Sequence, residues 1–341
     1  MSQINNITVN ISLSTLPLSQ AGFGMPLIVG TKVRSGKPDY VEVGDADELL
    51  DAGIGFANSD SEYKMAAAIF SQSPRMAKIS VFGIDDFANL ATKLAELRNS
   101  GKDAWYYLLI TDRTKTNIAI ADTYVNSLEK IGFFATSDKT ITSTGERTVI
   151  LVSNHADEFP DAAWIGRCGA ETIGSISWDS KQLSGQQNSG VSMSEQSTLL
   201  ASKFNLIREM GGVDVTWEGK TASGQYIDII QGRDYLKARL IEAWHSLKIN
   251  SKKIPFTNAG SAMVEAQLRE VFRDAGRNGV IADGGTADTS DLGDYQYKLS
   301  VPTVEEVSAN DKANRIFAPI TFSAVVSGSI NTIQISGVLT V

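Results

Sequence analysis

Between residues 78 and 152 the sequence alternates short apolar runs with longer amphipathic stretches, and this restricts the chain more than any other feature in it. KISVFG (78–83) has the length and composition of a buried strand. DDFANLATKLAELRNSG (85–101) is a capped amphipathic helix ended by Gly101. WYYLLIT (105–111) is a second buried strand, and RTKTNIAIADTYVNSLEKIG (113–132) a second helix, ended by Gly132. FFATS and RTVILVSN follow as strands, and DAAWIGRCGAE (161–171) as a short helix. Strand–helix–strand order demands crossover connections, and crossovers produce a largely parallel sheet covered by helices on its faces. The middle of the chain is therefore expected to be an α/β domain.

The flanks read differently. Upstream, MPLIVGTKV is a short strand closed by Gly30, DADELLDAGIG a capped turn of helix, and SDSEYKMAAAIFSQ (59–72) a helix with an Ala-rich packing face. SGQQNSGVSMSEQS from residue 184 reads as a linker or long loop, with Ser192 and Glu195 forming a capping box for the next helix. MGGVDVTWEGKTASGQYIDII has the pattern of a hairpin. RDYLKARLIEAWHSLKIN (233–250) and TNAGSAMVEAQLREVFRDAGRNG (257–279) are amphipathic helices, with Thr257 or Ser261 near the cap of the second. QYKLSVPTVEEVS (296–308) is extended.

Both termini keep strand rhythm without charge. Ile7, Val9, Ile11 and Leu13 alternate with small polar residues, and no charged side chain precedes Lys32. From Ile316 to Val341 there is again none. Ile316, Ala318, Ile320, Phe322, Ala324 and Val326 share one face; after Ser-Gly-Ser the phase shifts, and Ile333, Ile335, Leu339 and Val341 continue it as the second strand of a hairpin. Uncharged strands offer open N–H and C=O groups to another chain, so pairing between subunits competes with pairing inside one.

A net charge of −8 argues against nucleic acid as a main partner, because backbone binding needs clustered Lys and Arg. One cysteine, Cys168, excludes an internal disulfide. No apolar run approaches the ~20 residues of a membrane helix, so membrane insertion is not expected. The opening MSQINNITVN has neither region of a signal peptide, and manufacture in the cytoplasm is expected.

Catalytic patterns fail one by one. EGKT (218–221) mimics the end of a P-loop, but Asp214 stands where the first glycine is needed and a strand is expected to follow. The Gly22–Gly24 pair lacks the third glycine and helix of a dinucleotide fingerprint. His155, in NHADEF, has two carboxylates beside it but no second ligand cluster; His245 lies on a helix; Cys168 is a lone thiol. No metal, cofactor or catalytic residue is expected. The alternative is an α/β enzyme, a hydrolase or nucleotide binder, using His155 or Cys168. One further pattern stands out: Arg269, Arg273 and Arg277 recur every four residues and form a stripe, which is either a cationic ridge against an acidic partner surface or a solvated face in which Glu265, Glu270 and Asp274 supply local pairs.

In GMPLIVGTKV, DADELLDAGIG, YKMAAAIFSQSPRMAKISVFG, AQLREVFRDAGRNGVIAD and NRIFAPITFSAVVSGSINTIQISGVLTV, taken in this order, the chain resembles contractile-tail sheath proteins of bacteriophages and phage-like particles, close to a shorter branch. The resemblance implies a structural protein of the virion tail or a tail-like particle, without a cofactor. It implies subunits that stack as hexameric rings around an inner tail tube and contract to drive the tube through a bacterial envelope. The implied fold is α/β (α+β overall): an N-terminal strand arm over 1–20, an α/β body over 21–190, an inner α+β domain over 191–315, and a C-terminal hairpin arm over 316–341. The arms of neighbours complete the inner domain, and the helix at 261–277, with Arg269, Arg273 and Arg277, is the expected tube contact. The implied partners are other copies of the chain, the tube protein, and baseplate and tail terminator proteins. At 341 residues the chain is short for this family, and the resemblance implies that outer domains are absent.

Overall fold

A computed structural model describes residues 23–32, 34–284 and 295–331. Its centre is a six-stranded sheet in the order β2-β3-β1-β4-β5-β6. The strands are β1 (Pro26–Gly30), β2 (Tyr40–Val43), β3 (Ile79–Gly83), β4 (Tyr107–Ile110), β5 (Ile131–Thr136) and β6 (Thr148–Val152). Every pairing is parallel except that of the edge strand β2 with β3. Apolar runs such as YLLI and TVILV are buried at every position, as strands covered on both faces must be.

The two faces sort by the period of two. Ile28, Val81, Leu109 and Phe133 face one layer, where α1 (Ser61–Phe70) and α4 (Pro160–Cys168) pack. Leu27, Val29, Leu108 and Phe134 face the other, with α2 (Leu90–Asn99) and α3 (Lys115–Asn126). Helices α1 and α4 approach so closely that a Cβ on Gly166 would run into the Ile69 backbone carbonyl, so only glycine fits there. The α/β expectation holds, with one local difference: α3 ends at Asn126, and Gly132 lies inside β5.

Residues 184–190 are tied to the body, unlike a free linker. Ser189 is fully buried, its N–H donates to the Ile207 carbonyl, and its own carbonyl accepts from Asn154. The capping box forms as expected and starts α5 (Met193–Ala201). Strands β7 (Leu206–Met210) and β8 (Val213–Trp217) make a two-residue hairpin, with Gly211 and Gly212 both in the left-handed region at φ 59° and 83°.

The stretch ASGQYIDII differs from the strand expected there. Its last four residues open α6 (Ile227–Asn250), which is six residues longer at its start than the amphipathic pattern marked. Helix α6 lies across the amino ends of the parallel strands. Asp234 accepts from Tyr106 Oη at 2.7 Å and from both terminal nitrogens of Arg147 at 2.7 Å, and these two residues immediately precede β4 and β6. Gln231 accepts from Trp178 Nε1 at 2.7 Å and donates to Tyr107 Oη at 2.6 Å. A buried polar seam, fully partnered, therefore joins α6 to the sheet. Helix α7 (Asn258–Arg277) packs on α6, with Thr257 as its N-cap residue. Strand β9 (Tyr297–Ser300), helix α8 (Ala309–Ala313) and strand β10 (Thr321–Ala324) complete the described chain.

Candidate assembly surface

The apolar side of α7 is set by Val264, Leu268 and Phe272, spaced at four residues. Phe272 stacks on Tyr297 of β9 with ring centroids 4.9 Å apart, and meets Phe322 of β10 at 5.0 Å. Between α6, α7 and residues 315–326 lies a groove of about 1560 Å³. All six even-numbered residues from Ile316 to Val326 line it, as their alternation required. The groove is mostly apolar, and two of the side chains that line it are large, apolar and open to solvent: Phe322 at 49% and Val326 at 37% exposure. That concentration exceeds what scattered surface residues explain and marks an interaction surface.

The strand over this groove finds a partner within the described residues, while the second strand of the expected terminal hairpin lies outside them. Among the described residues β10 pairs antiparallel with β9, Thr321 opposite Ser300 and Ala324 opposite Tyr297, and the two strands make a sheet of their own. The chain continues alongside residues 280–283, where the Ala282 N–H donates to Val325 O at 2.9 Å. A two-stranded sheet leaves the outer edge of each strand open to a further strand. The arm residues Ile7, Val9, Ile11, Leu13, Ile333, Ile335, Leu339 and Val341 lie outside the described residues.

The arginine stripe is present on α7, and its charge is compensated within the helix. Arg269 donates from Nε to Glu265 at 2.9 Å and is 17% exposed. Arg273 pairs with Glu270 at 3.0 Å, and Arg277 with both Glu270 at 3.0 Å and Asp274. Arg273 and Arg277 remain 41% and 56% exposed. The stripe thus presents oriented ion pairs rather than an excess of positive charge. The spacing of Glu265 before Arg269 was the sequence signal for this.

The residues of the enzyme alternative do not converge. His155 follows the edge strand β6, where its partners are Gln187 at 3.3 Å and Glu158 at 3.8 Å. Cys168 ends α4 at the opposite end of the strands, close to Tyr107, the first residue of β4. Burial pushes its thiol up to about 12, the reverse of what a nucleophile needs. Cys168 is therefore expected to resist thiol reagents in the native protein and to react fully once the chain is unfolded; rapid native labelling would contradict its burial. Lys220 of the EGKT string pairs with Glu218 and faces the Tyr226 ring at 5.0 Å, so it is not free to cradle a phosphate. Among the described residues no group of His, Cys, Asp and Glu could hold a metal, and no helix is long and apolar enough to cross a membrane.

The comparisons agree on one type of protein. The model of the family described as "E217 tail sheath protein gp31-like, C-terminal domain" matches residues 227–339, from the first residue of α6 onward. No curated protein matches the chain. Among solved structures, the helical sheath of the anti-feeding prophage in its contracted state superposes with a TM-score of 0.70 at 12% identity, covering 99% of both chains. A chain from the contracted baseplate of the same particle gives 0.63 at 15% identity, again over 99% of both. The sheath tail protein of Desulfitobacterium hafniense gives 0.56 at 8% identity, over 94% of this chain and 99% of that one. Residues 227–339 thus match a tail sheath C-terminal domain, and the chain as a whole has the fold of tail sheath proteins.

Proposed function

We propose that the chain is the sheath subunit of a contractile tail or tail-like particle: it polymerises as stacked hexameric rings around an inner tube and shortens to drive that tube through a bacterial envelope. The observation that carries this is likeness to an assembled sheath over 99% of both chains, joined to a sheath-type domain at residues 227–339. The edges of the β9–β10 sheet, which carry no further named strand among the described residues, and the apolar groove beneath it supply a physical seat for strands donated by neighbours. Donated strands form heterologous contacts, and these propagate into rings or helices. Contraction on this reading exchanges one packing of the bodies for another while the arms stay paired, and it needs no catalytic group. The arms, body and inner domain keep the boundaries implied by the sequence, 1–20, 21–190, 191–315 and 316–341, and tube, baseplate and tail terminator proteins are the partners.

Electron microscopy of the purified protein at high concentration tests the reading. Hollow striated tubes or stacked rings are expected; monodisperse globular particles at every salt concentration would refute it. The exposed face of α7 is assigned to the tube. Replacing Arg269, Arg273 and Arg277 together by Glu places three more carboxylates beside Glu265, Glu270 and Asp274. Tube binding is expected to fall by at least tenfold while tubes of sheath still form. Unchanged binding in a pull-down with the tube protein would move the contact to another face.

A further inference from the structure

Charge is segregated to opposite ends of the parallel sheet. At the amino ends lies α6, anchored through Asp234 to Tyr106 and Arg147 and through Lys237 to Glu129, just ahead of β5. Beyond these anchors, the rim of the groove carries Lys248, Lys252, Lys253 and Arg315, all exposed. None of the four forms an ion pair among the described residues, in contrast to the arginines of α7. The carboxylates lining the same groove are already committed: Glu129 to Lys237, Glu146 to Arg233 and Asp234 to Arg147. The rim is therefore a positive surface on a chain of net charge −8.

The carboxyl ends carry the opposite sign. The segments leaving β3, β4, β5 and β6 bear Asp85 and Asp86, Asp112, Asp138, and Asp157 in turn. The hydrogen-bond partners of four of them are local and uncharged: Asn89 for Asp85, the Ala88 N–H for Asp86, the Thr114 N–H for Asp112, and Thr140 for Asp138, while the charge of Lys115 also acts on Asp138 and that of Arg113 on Asp157. Hydrogen bonds from Thr140 hold the Asp138 carboxyl below the usual carboxylate range. The cations at this end are engaged by other groups: Lys32, which follows β1, pairs with Asp60, and Arg34 donates to the Ile54 and Asp39 carbonyls. Arg113 points inward to Asp161 and the Ala156 carbonyl, Lys115 binds the Thr140 carbonyl, and Lys139 pairs with Glu195.

One body cannot bring its own two poles together. A two-fold pair that matched both poles would close on itself, whereas a head-to-tail contact sets each pole against its complement and leaves one pole of each sign free to propagate. We infer that the aspartates at the carboxyl end of the sheet in one copy dock on Lys248, Lys252, Lys253 and Arg315 of another copy. The inference rests on the self-assembly reading and adds a body-to-body contact, distinct from the arms, that sets the register of successive subunits. Long-range attraction between the poles also steers the encounter, so assembly depends on salt.

The test is a charge swap in the full chain. Three proteins are made: Lys248→Glu/Lys252→Glu/Lys253→Glu, Asp85→Lys/Asp86→Lys/Asp112→Lys, and the six substitutions combined. All six positions are exposed, and circular dichroism with thermal melting verifies that each variant folds. The concentration at which polymer appears is measured by sedimentation at ~0.01 M and ~1 M salt, where the Debye length is about 30 Å and 3 Å. Each triple variant is expected to raise that concentration at least tenfold at low salt, and the combined variant to return within about threefold of the parent. Unchanged assembly of folded triple variants overturns the inference, as does failure of the combined variant to recover. A lysine variant that assembles normally yet no longer binds the tube protein overturns it too, and assigns the cations to the tube. Should the parent chain not self-associate at any salt, the sheath reading falls with it; tubes indifferent to charge and salt sink this inference alone.

Discussion

Removal of residues 333–341 leaves a folded, soluble subunit that no longer forms tubes. The segment contributes Ile333, Ile335, Leu339 and Val341 on one face and a run of uncharged backbone donors and acceptors. The six-stranded sheet, the α6 seam and the β9–β10 pair are all built from residues before 332. Burying one such side chain against a neighbour is worth ~1.5–3 kcal/mol, and each ~1.4 kcal/mol is tenfold in an association constant. Losing four together takes assembly out of reach at micromolar concentration. Melting curves and sedimentation settle both halves of the expectation. Ordered tubes from the truncated chain would show that the arm is dispensable, and an unfolded product would show that the segment belongs to the subunit's own core.

The second large effect concerns the seam between α6 and the sheet. Asp234 and Arg147 are 1% and 9% exposed, and the carboxylate holds three donors at once. Asp234→Ala leaves the guanidinium without its counter-charge and the Tyr106 hydroxyl without its acceptor. Breaking a buried pair from one side costs ~3–5 kcal/mol, a large share of the ~5–15 kcal/mol that holds a domain together. The denaturation midpoint is expected to drop accordingly. Because the pair pins α6 across the strand ends, the residues from 227 onward should gain protease sensitivity first. Replacing both partners by apolar residues, as in Arg147→Met/Asp234→Leu, removes the penalty along with the pair and is expected to recover most of the loss. A midpoint unmoved by Asp234→Ala would mean that the seam adds little, and that the apolar contacts of Ile227 and Ile230 hold the helix alone.

The α/β body was legible in the sequence because its information is local. KISVFG, WYYLLIT and RTVILVSN are apolar on both faces over strand length, and the helices between them repeat at three and four residues, so element type follows from short windows. The neutral stripe on α7 was legible for the same reason, since a carboxylate four residues before an arginine is its neighbour on any helix. The start of α6 was not. IDII carries β-branched residues that favour strands, and Gln231 and Asp234 look like a solvent face. They are only 4% and 1% exposed because their partners, Trp178, Tyr107 and Arg147, come from distant positions.

Alternation at 316–326 determined which side chains point into the groove, since period two is a property of any extended backbone. It did not determine the strand partner. Strand pairing is a contact between remote residues: β10 pairs with β9, and Phe272 of α7, which stacks on Tyr297 and meets Phe322, holds both strands against one helix. The two charged poles were equally hidden. Asp85, Asp112, Asp138 and Asp157 are scattered acids along the chain, and parallel strand order alone gathers them at one end of the sheet. The sequence by itself determined the elements, the uncharged ends and the compensated stripe, all of which follow from neighbours along the chain; the partner of β10, the seam under α6 and the polarity of the body were decided only by the tertiary structure, which sets residues from distant positions side by side.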